Sequence, residues 1–277
     1  MLRTVRRGGP WLVVGLALAT VGCDDLREAA ENRFDPATPG TLVVGAEVPT
    51  PGFWEGTPHD VTGGFELQLA QALADELGLQ LEVVQVPFTD VVAGRLGPAD
   101  LALQEVSVTN ERSEAVEFSV PYLTTSPTVV ARDDGGDAAD LRDLATAGEL
   151  HWAVRGGTTE DEFLRQVVQP DQDTLQTGSV KDALAAVERR TVDAALVDVS
   201  DALLADAGSD ELVAVARFDR SEDVAAVLPR GATRNVTAVD EALRALGADG
   251  TIDRLIDTWL TSAYPVDPTD LPVIVTR

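Results

Sequence analysis

The 277-residue chain has one cysteine, Cys23, and one lysine, Lys181. A lone cysteine excludes a disulfide within the chain and a thiolate metal cluster. Its two histidines, His59 and His151, lack metal-ligand spacing. Positive charge is scarce: 21 Lys and Arg stand against 47 Asp and Glu, a formal net charge of −26. That excludes nucleic-acid binding, which needs a basic footprint, and argues against an anionic membrane surface as the main partner. The most apolar run, Trp11–Ala19, falls well short of the roughly 20 residues that span a bilayer. What is present is ordinary for a packed globular protein: 44% hydrophobic and 25% charged residues, enough for one large or two medium domains.

The first 22 residues have the layout of an export signal. Arg3, Arg6 and Arg7 precede the apolar stretch Trp11–Ala19, and small residues follow. Thr20-Val21-Gly22-Cys23 resembles a bacterial lipobox, with Thr20 where that pattern prefers Leu. The reading is a lipoprotein signal peptide over 1–22 with lipidation at Cys23. The acyl chains would anchor an extracytoplasmic protein to the cell membrane, at about 0.8 kcal/mol per buried methylene. The polar, proline-bearing segment that follows reads as a flexible tether over 23–40.

From Thr41 short apolar runs alternate with helical patterns. Thr41–Ala46, Leu81–Val86 and Asp100–Leu103 read as strands; Gly64–Gly78 reads as an amphipathic helix with Leu69, Ala72, Leu73 and Leu77 on one face. A second series follows, with strands at His151–Val154, Val192–Val197, Leu212–Phe218 and Val224–Leu228, and helices at Ala138–Ala147, Thr158–Val168, Val180–Arg190, Val239–Leu246 and Ile252–Leu260. Alternation of this kind predicts parallel α/β sheets in two tandem lobes, with a ligand cleft at the strand ends.

Three segments carry candidate chemistry. In Ser107–Arg112, Thr109 is a good N-cap and Arg112 offers a fork for a carboxylate. In Arg155–Asp161, two glycines allow close backbone approach, and Thr158 with Asp161 forms a capping-box-like pair at a helix start that favours an anion. Asp198 ends the apolar strand Ala194–Val197, where an acid could receive an ammonium group.

The order of these segments, together with Gly64-Phe65-Glu66, Val116-Glu117-Phe118-Ser119-Val120-Pro121-Tyr122 and Ala248-Asp249-Gly250-Thr251-Ile252, resembles bacterial extracellular solute-binding protein family 3, the polar amino-acid receptors of ABC importers. The resemblance covers about 41–260. It implies a two-lobed periplasmic-binding-protein fold (type II), each lobe an α/β sheet flanked by helices. Lobe 1 would be 41–123 plus 224–277 and lobe 2 would be 128–220, with hinge strands near Leu123–Thr128 and Arg220–Val224. It also implies an amino-acid ligand, a membrane ABC permease as partner, a monomer, and neither cofactor nor catalysis. By the same resemblance Arg112 pairs with the ligand α-carboxylate, Thr158 donates to it, Ser107 bonds the main-chain groups and Asp198 takes the α-amino group. Phe88 packs on the ligand side chain, and Glu47 lies near it.

Two positions depart from the family pattern. Glu105 replaces a small Ser or Gly, and Thr50 replaces an aromatic for which Trp54 or Phe53 could substitute. With Glu105 inward, Glu47, Glu105 and Asp198 would outnumber Arg112 and favour a cationic amino acid. With Glu105 outward, it would pair with an arginine such as Arg155. The alternatives to a transport receptor are a sensing or accessory module and a dehydratase-like enzyme on the same scaffold.

Overall fold

Residues 34–134 and 141–276 are described by a computed structural model. The export leader over 1–22 and Cys23 lie outside the described residues. So does the first part of the expected tether.

The first lobe is built from β1 (Thr41–Ala46), β2 (Glu55–Thr57), β3 (Asp60–Gly63), α1 (Phe65–Leu77), β4 (Gln80–Gln85), α2 (Phe88–Val91), β5 (Leu101–Ala102) and β6 (Val116–Thr125). The second lobe holds β7 (Pro127–Arg132), α3 (Leu144–Glu149), β8 (Trp152–Arg155), α4 (Thr159–Phe163), β9 (Leu175–Thr177), α5 (Val180–Glu188), β10 (Ala194–Asp198), α6 (Val199–Gly208) and β11 (Leu212–Phe218). The chain then returns through β12 (Glu222–Pro229), α7 (Thr233–Ala248) and α8 (Thr251–Trp259), and ends on β13 (Val273–Ile274).

Alternation along each strand separates two cores per lobe. Leu42, Val44 and Ala46 of β1 join Leu69 and Leu73 of α1 and Val239 and Leu243 of α7. Val43 faces the other way, onto Val86, Phe88, Val91 and Val106. Gly78 closes α1 at φ 69, a left-handed cap that glycine adopts without strain. In the second lobe Val129, Trp152, Leu196 and Phe218 lie on one face of the sheet, and Val130, Ala153, Ala195 and Val197 on the other.

The sheets are mixed rather than purely parallel. The first runs β4-β1-β5-β12-β6 and the second β13-β11-β7-β10-β8-β9. β1 is parallel to β4 and β5, but β12 is antiparallel to both β5 and β6. Topology is the reason: the chain leaves the first lobe along β6 and re-enters it along β12, so the two must run oppositely. β7 and β11 form the corresponding antiparallel pair in the second lobe. The crossings lie at Thr125–Pro127 and Phe218–Glu222, and Glu222 pairs with Thr125 across them.

Both ends of the chain depart from expectation. Phe34–Gly40 is not tether: Phe34 is buried in the first core, and the Ala37 amide donates to Asp100 Oδ1 at 2.8 Å. The tail, assigned by sequence to lobe 1, crosses back to lobe 2. β13 pairs in parallel with β11, Leu271 and Ile274 are buried, and Asp219 accepts from the Thr276 amide at 3.0 Å. A two-residue strand is too short to show a period, so the pairing leaves no trace in the sequence pattern.

Candidate functional site

Strand ends of both lobes converge on one cavity of about 550 Å³. Glu47 follows β1, Phe88 opens α2 after β4, and Glu105 and Ser107 follow β5. Thr158 precedes α4, and Asp198 closes β10. All seven residues expected at the site, including Arg112, line the cavity. Gln104, Arg155, Thr159, Glu160 and Asp201, which are not among the residues expected from the sequence, line it too. Asp201 carried a readable signal: it stands three residues after Asp198, the N-cap of α6, and N-cap and N3 side chains lie close together at a helix start.

Arg112 is fixed by its turn. Its amide donates to Thr109 Oγ1 at 3.1 Å, the cap expected from the sequence. Its guanidinium donates to the Ser107 carbonyl at 2.8 Å and, across the cleft, to the Gly157 carbonyl at 3.4 Å. Thr158 is occupied as a cap: its hydroxyl donates to the Arg155 carbonyl at 2.9 Å and accepts from the Asp161 amide at 3.3 Å. Thr159, next in sequence and buried, reaches only Glu160, at 3.3 Å, and is the freer donor of the two. Asp198 accepts from Thr125 Oγ1 at 2.8 Å, which ties the acid to the first crossing.

Glu105 stands on the cavity wall, and its backbone is unusual: φ is +50, left-handed for a residue with a Cβ. Such a conformation costs roughly 1–3 kcal/mol, consistent with the small residue expected there. It is held by the Glu105 amide donating at 2.8 Å to Glu66 Oε1. Glu66 itself is wholly buried in α1 and also accepts from Tyr122 Oη and, at 2.6 Å, from Trp54 Nε1. Burial pushes the Glu66 carboxyl up to about 7 despite these donors. Trp54 and Phe53 are fully buried in the first core, so neither supplies the missing ring of the cleft. Arg155 does not pair with Glu105; it pairs with Glu47, Nη2 to Oε2 at 2.5 Å.

Four carboxyls crowd the remaining wall. Burial, then the charges of Asp201, Asp198, Glu66 and Glu160, hold Glu105 well above the usual carboxylate range. Asp198 is raised by burial and by Glu160 and Asp201. Asp201 is pushed up to about 7 by burial and Glu160, with Arg155 opposing. Glu160 is raised by burial and Glu222, with Arg112 opposing. Burial lowers Arg112, but it keeps its charge in the ordinary pH range. Three basic side chains, Arg112, Arg155 and Lys181, line the cavity against six acidic ones, Glu47, Glu105, Glu160, Glu188, Asp198 and Asp201; with Arg155 held by Glu47, Arg112 is the guanidinium left for a carboxylate.

The described residues match known proteins across nearly their whole length. Residues 42–262 match the family model for bacterial extracellular solute-binding proteins, family 3. The L-cystine-binding protein TcyJ of Escherichia coli K12 is 28% identical over 255 residues, which is 90% of this chain and 91% of that protein. An amino acid ABC transporter substrate-binding protein from Streptococcus pneumoniae, solved bound to L-arginine, is similar at TM-score 0.69 and 25% identity over 80% of this chain and 95% of its own. The ancestral amino acid-binding protein AncCDT-1, a precursor of cyclohexadienyl dehydratase, is similar at TM-score 0.70 and 26% identity over 80% and 96%. With two sheets meeting at a charged cleft and a family match over most of its length, the chain belongs to the bacterial extracellular solute-binding proteins, family 3.

Proposed function

We propose that this protein captures a cationic α-amino acid between its lobes and presents it to an ABC importer, without chemical conversion. The observation that carries the reading is the charge balance of the cavity. Glu105, Asp198, Asp201 and Glu160 face Arg112, and among the described residues no Arg or Lys forms an ion pair with any of the four. Buried like charges are costly until a cation or a proton neutralises them. A ligand with one carboxylate and two ammonium groups matches the wall: carboxylate on Arg112, α-ammonium on Asp198, side-chain ammonium on Glu105 and Asp201. Because the ligand touches both lobes, its binding favours the closed arrangement that a permease would recognise. The same reading places the protein outside the cytoplasm as a monomer held by a lipid on Cys23.

The test is a thermal-shift screen of the purified protein against the twenty amino acids, ornithine and polyamines. Binding to the folded state alone adds about 2.7 kcal/mol at one hundred times Kd. Lysine and ornithine should raise the midpoint most. A shift with neutral or acidic amino acids alone would keep the receptor and remove the cationic ligand. Mass spectrometry of the recovered ligand should find it unchanged; a dehydrated product would instead support the enzymatic alternative.

A further inference from the structure

Arg155 ends β8 on the second lobe, yet its guanidinium rests on first-lobe residues. Its Nη2 lies 2.5 Å from Glu47 Oε2, and its Cζ stands 4.4 Å from the centroid of the Phe88 ring. Arg112 approaches the same ring at 5.5 Å. The Phe88 ring, 5% exposed, therefore already carries two guanidiniums. Glu47 and Phe88 both line the cavity. A carboxylate beside an aromatic face suits a planar, weakly hydrated guanidinium, and here the protein's own arginine fills that role.

We propose that Arg155 sets side-chain specificity by occupying this place, so that the cleft takes amino acids ending in a compact ammonium and turns away those ending in a guanidinium. This rests on the amino-acid receptor reading. An ammonium needs carboxylate oxygens and no ring face; Glu105 and Asp201 supply them elsewhere in the cavity. A guanidinium ligand reaching for Phe88 has to displace Arg155, which then loses its ion pair and stacking while remaining a like charge beside the newcomer. Arg155 is suited to hold its ground: its side chain is only 18% exposed, and Thr158 Oγ1 bonds its carbonyl at 2.9 Å.

The experiment is titration calorimetry of arginine and ornithine into the purified protein, Arg155→Ala, Arg155→Gln and the double variant Arg155→Ala/Glu47→Gln. The unsubstituted protein should prefer ornithine by about tenfold or more, which is about 1.4 kcal/mol. Arg155→Ala should raise arginine affinity by about tenfold or more, the same free-energy step, and change ornithine affinity less. Adding Glu47→Gln should cancel the gain, a dependence that a merely structural effect would not show. Arginine affinity unchanged or lower in both single variants, with circular dichroism intact, overturns the proposal. If the unsubstituted protein binds an amino acid but neither variant gains arginine, this inference falls and the receptor reading stands. If no amino acid binds any of the proteins, both fall.

Discussion

The two walls of the cleft handle buried charge in opposite ways. On the wall around Phe88 each charge has a protein partner: Arg155 meets Glu47 at 2.5 Å and Arg112 meets the Ser107 carbonyl at 2.8 Å. On the facing wall Glu105, Asp198, Asp201 and Glu160 repel one another, and each is raised above its ordinary range with burial as the first cause. Arg155 is neutralised by Glu47 without a ligand, whereas Arg112 meets only neutral carbonyls and can still take a carboxylate. The second wall is balanced by protons when empty and by a cation when filled. On the proposed reading the side-chain ammonium goes to the acidic wall, and Arg155 closes the aromatic wall to it.

The comparison can be broken most forcefully at Asp198. Asp198→Ala removes the proposed partner of the α-ammonium from a buried site, where truncating one member of a charge pair costs about 2–5 kcal/mol. Calorimetry should show affinity for lysine reduced by about a hundredfold or more, and affinity for neutral amino acids falling alongside it. Glu105→Gln should act more selectively. It keeps the side-chain volume and removes one charge, so lysine should weaken by about tenfold, or about 1.4 kcal/mol, with neutral amino acids unaffected or tighter. Equal losses for lysine and for its neutral analogue would place the second ammonium somewhere other than Glu105.

pH sharpens the contrast next. Asp201 and Glu66 titrate at about 7 in the folded chain, against ordinary values of 3.8 and 4.5. Between those limits the folded state holds more protons than the unfolded one, so these groups stabilise the ligand-free protein at low pH and lose that contribution as pH rises toward about 7. The thermal midpoint should therefore be higher at pH 5 than at pH 8. Saturating lysine should reduce the part of the difference that Asp201 contributes, because Asp201 lines the cavity and the bound cation takes over the neutralising role of its proton, while the part from Glu66, which does not line it, remains. The smallest effect belongs to the aromatic wall. Glu47 is 38% exposed, and Glu47→Gln should change stability by no more than about 1 kcal/mol, as for other accessible ion pairs.

Much of this was legible in the sequence because it is local. The 3.6-residue spacing of Leu69, Leu73 and Leu77, the Gly78 cap and the Thr109 cap of the Arg112 turn are each set by residues within a few positions of one another. Of the seven expected site residues, Glu47, Phe88, Glu105, Ser107, Thr158 and Asp198 lie at or just after strand ends, where an α/β lobe presents its ligand face, and Arg112 lies in the turn beyond β5. What escaped is long-range. Nothing near Val273 announces that it pairs with Arg217, and nothing near Arg155 announces Glu47, 108 positions away. Phe53 and Trp54 read as rings available to the cleft, yet the first core takes both, and Trp54 Nε1 finds its acceptors there in Glu66 and the Leu103 carbonyl just after β5. The parallel sheets implied by alternation became mixed because the chain crosses between lobes, a feature of connectivity rather than of local pattern.

In the proposed receptor the acidic wall recognises a second positive charge on an α-amino acid. The most direct measurement is the affinity of lysine against norleucine, which keeps the zwitterion and the hydrocarbon and replaces the terminal ammonium with a methyl group. The structure predicts lysine tighter by about tenfold or more, about 1.4 kcal/mol, at pH 8. Norleucine binding equally well or better would contradict the account and leave Glu105, Asp201 and Glu160 as carboxyls that protons alone keep neutral.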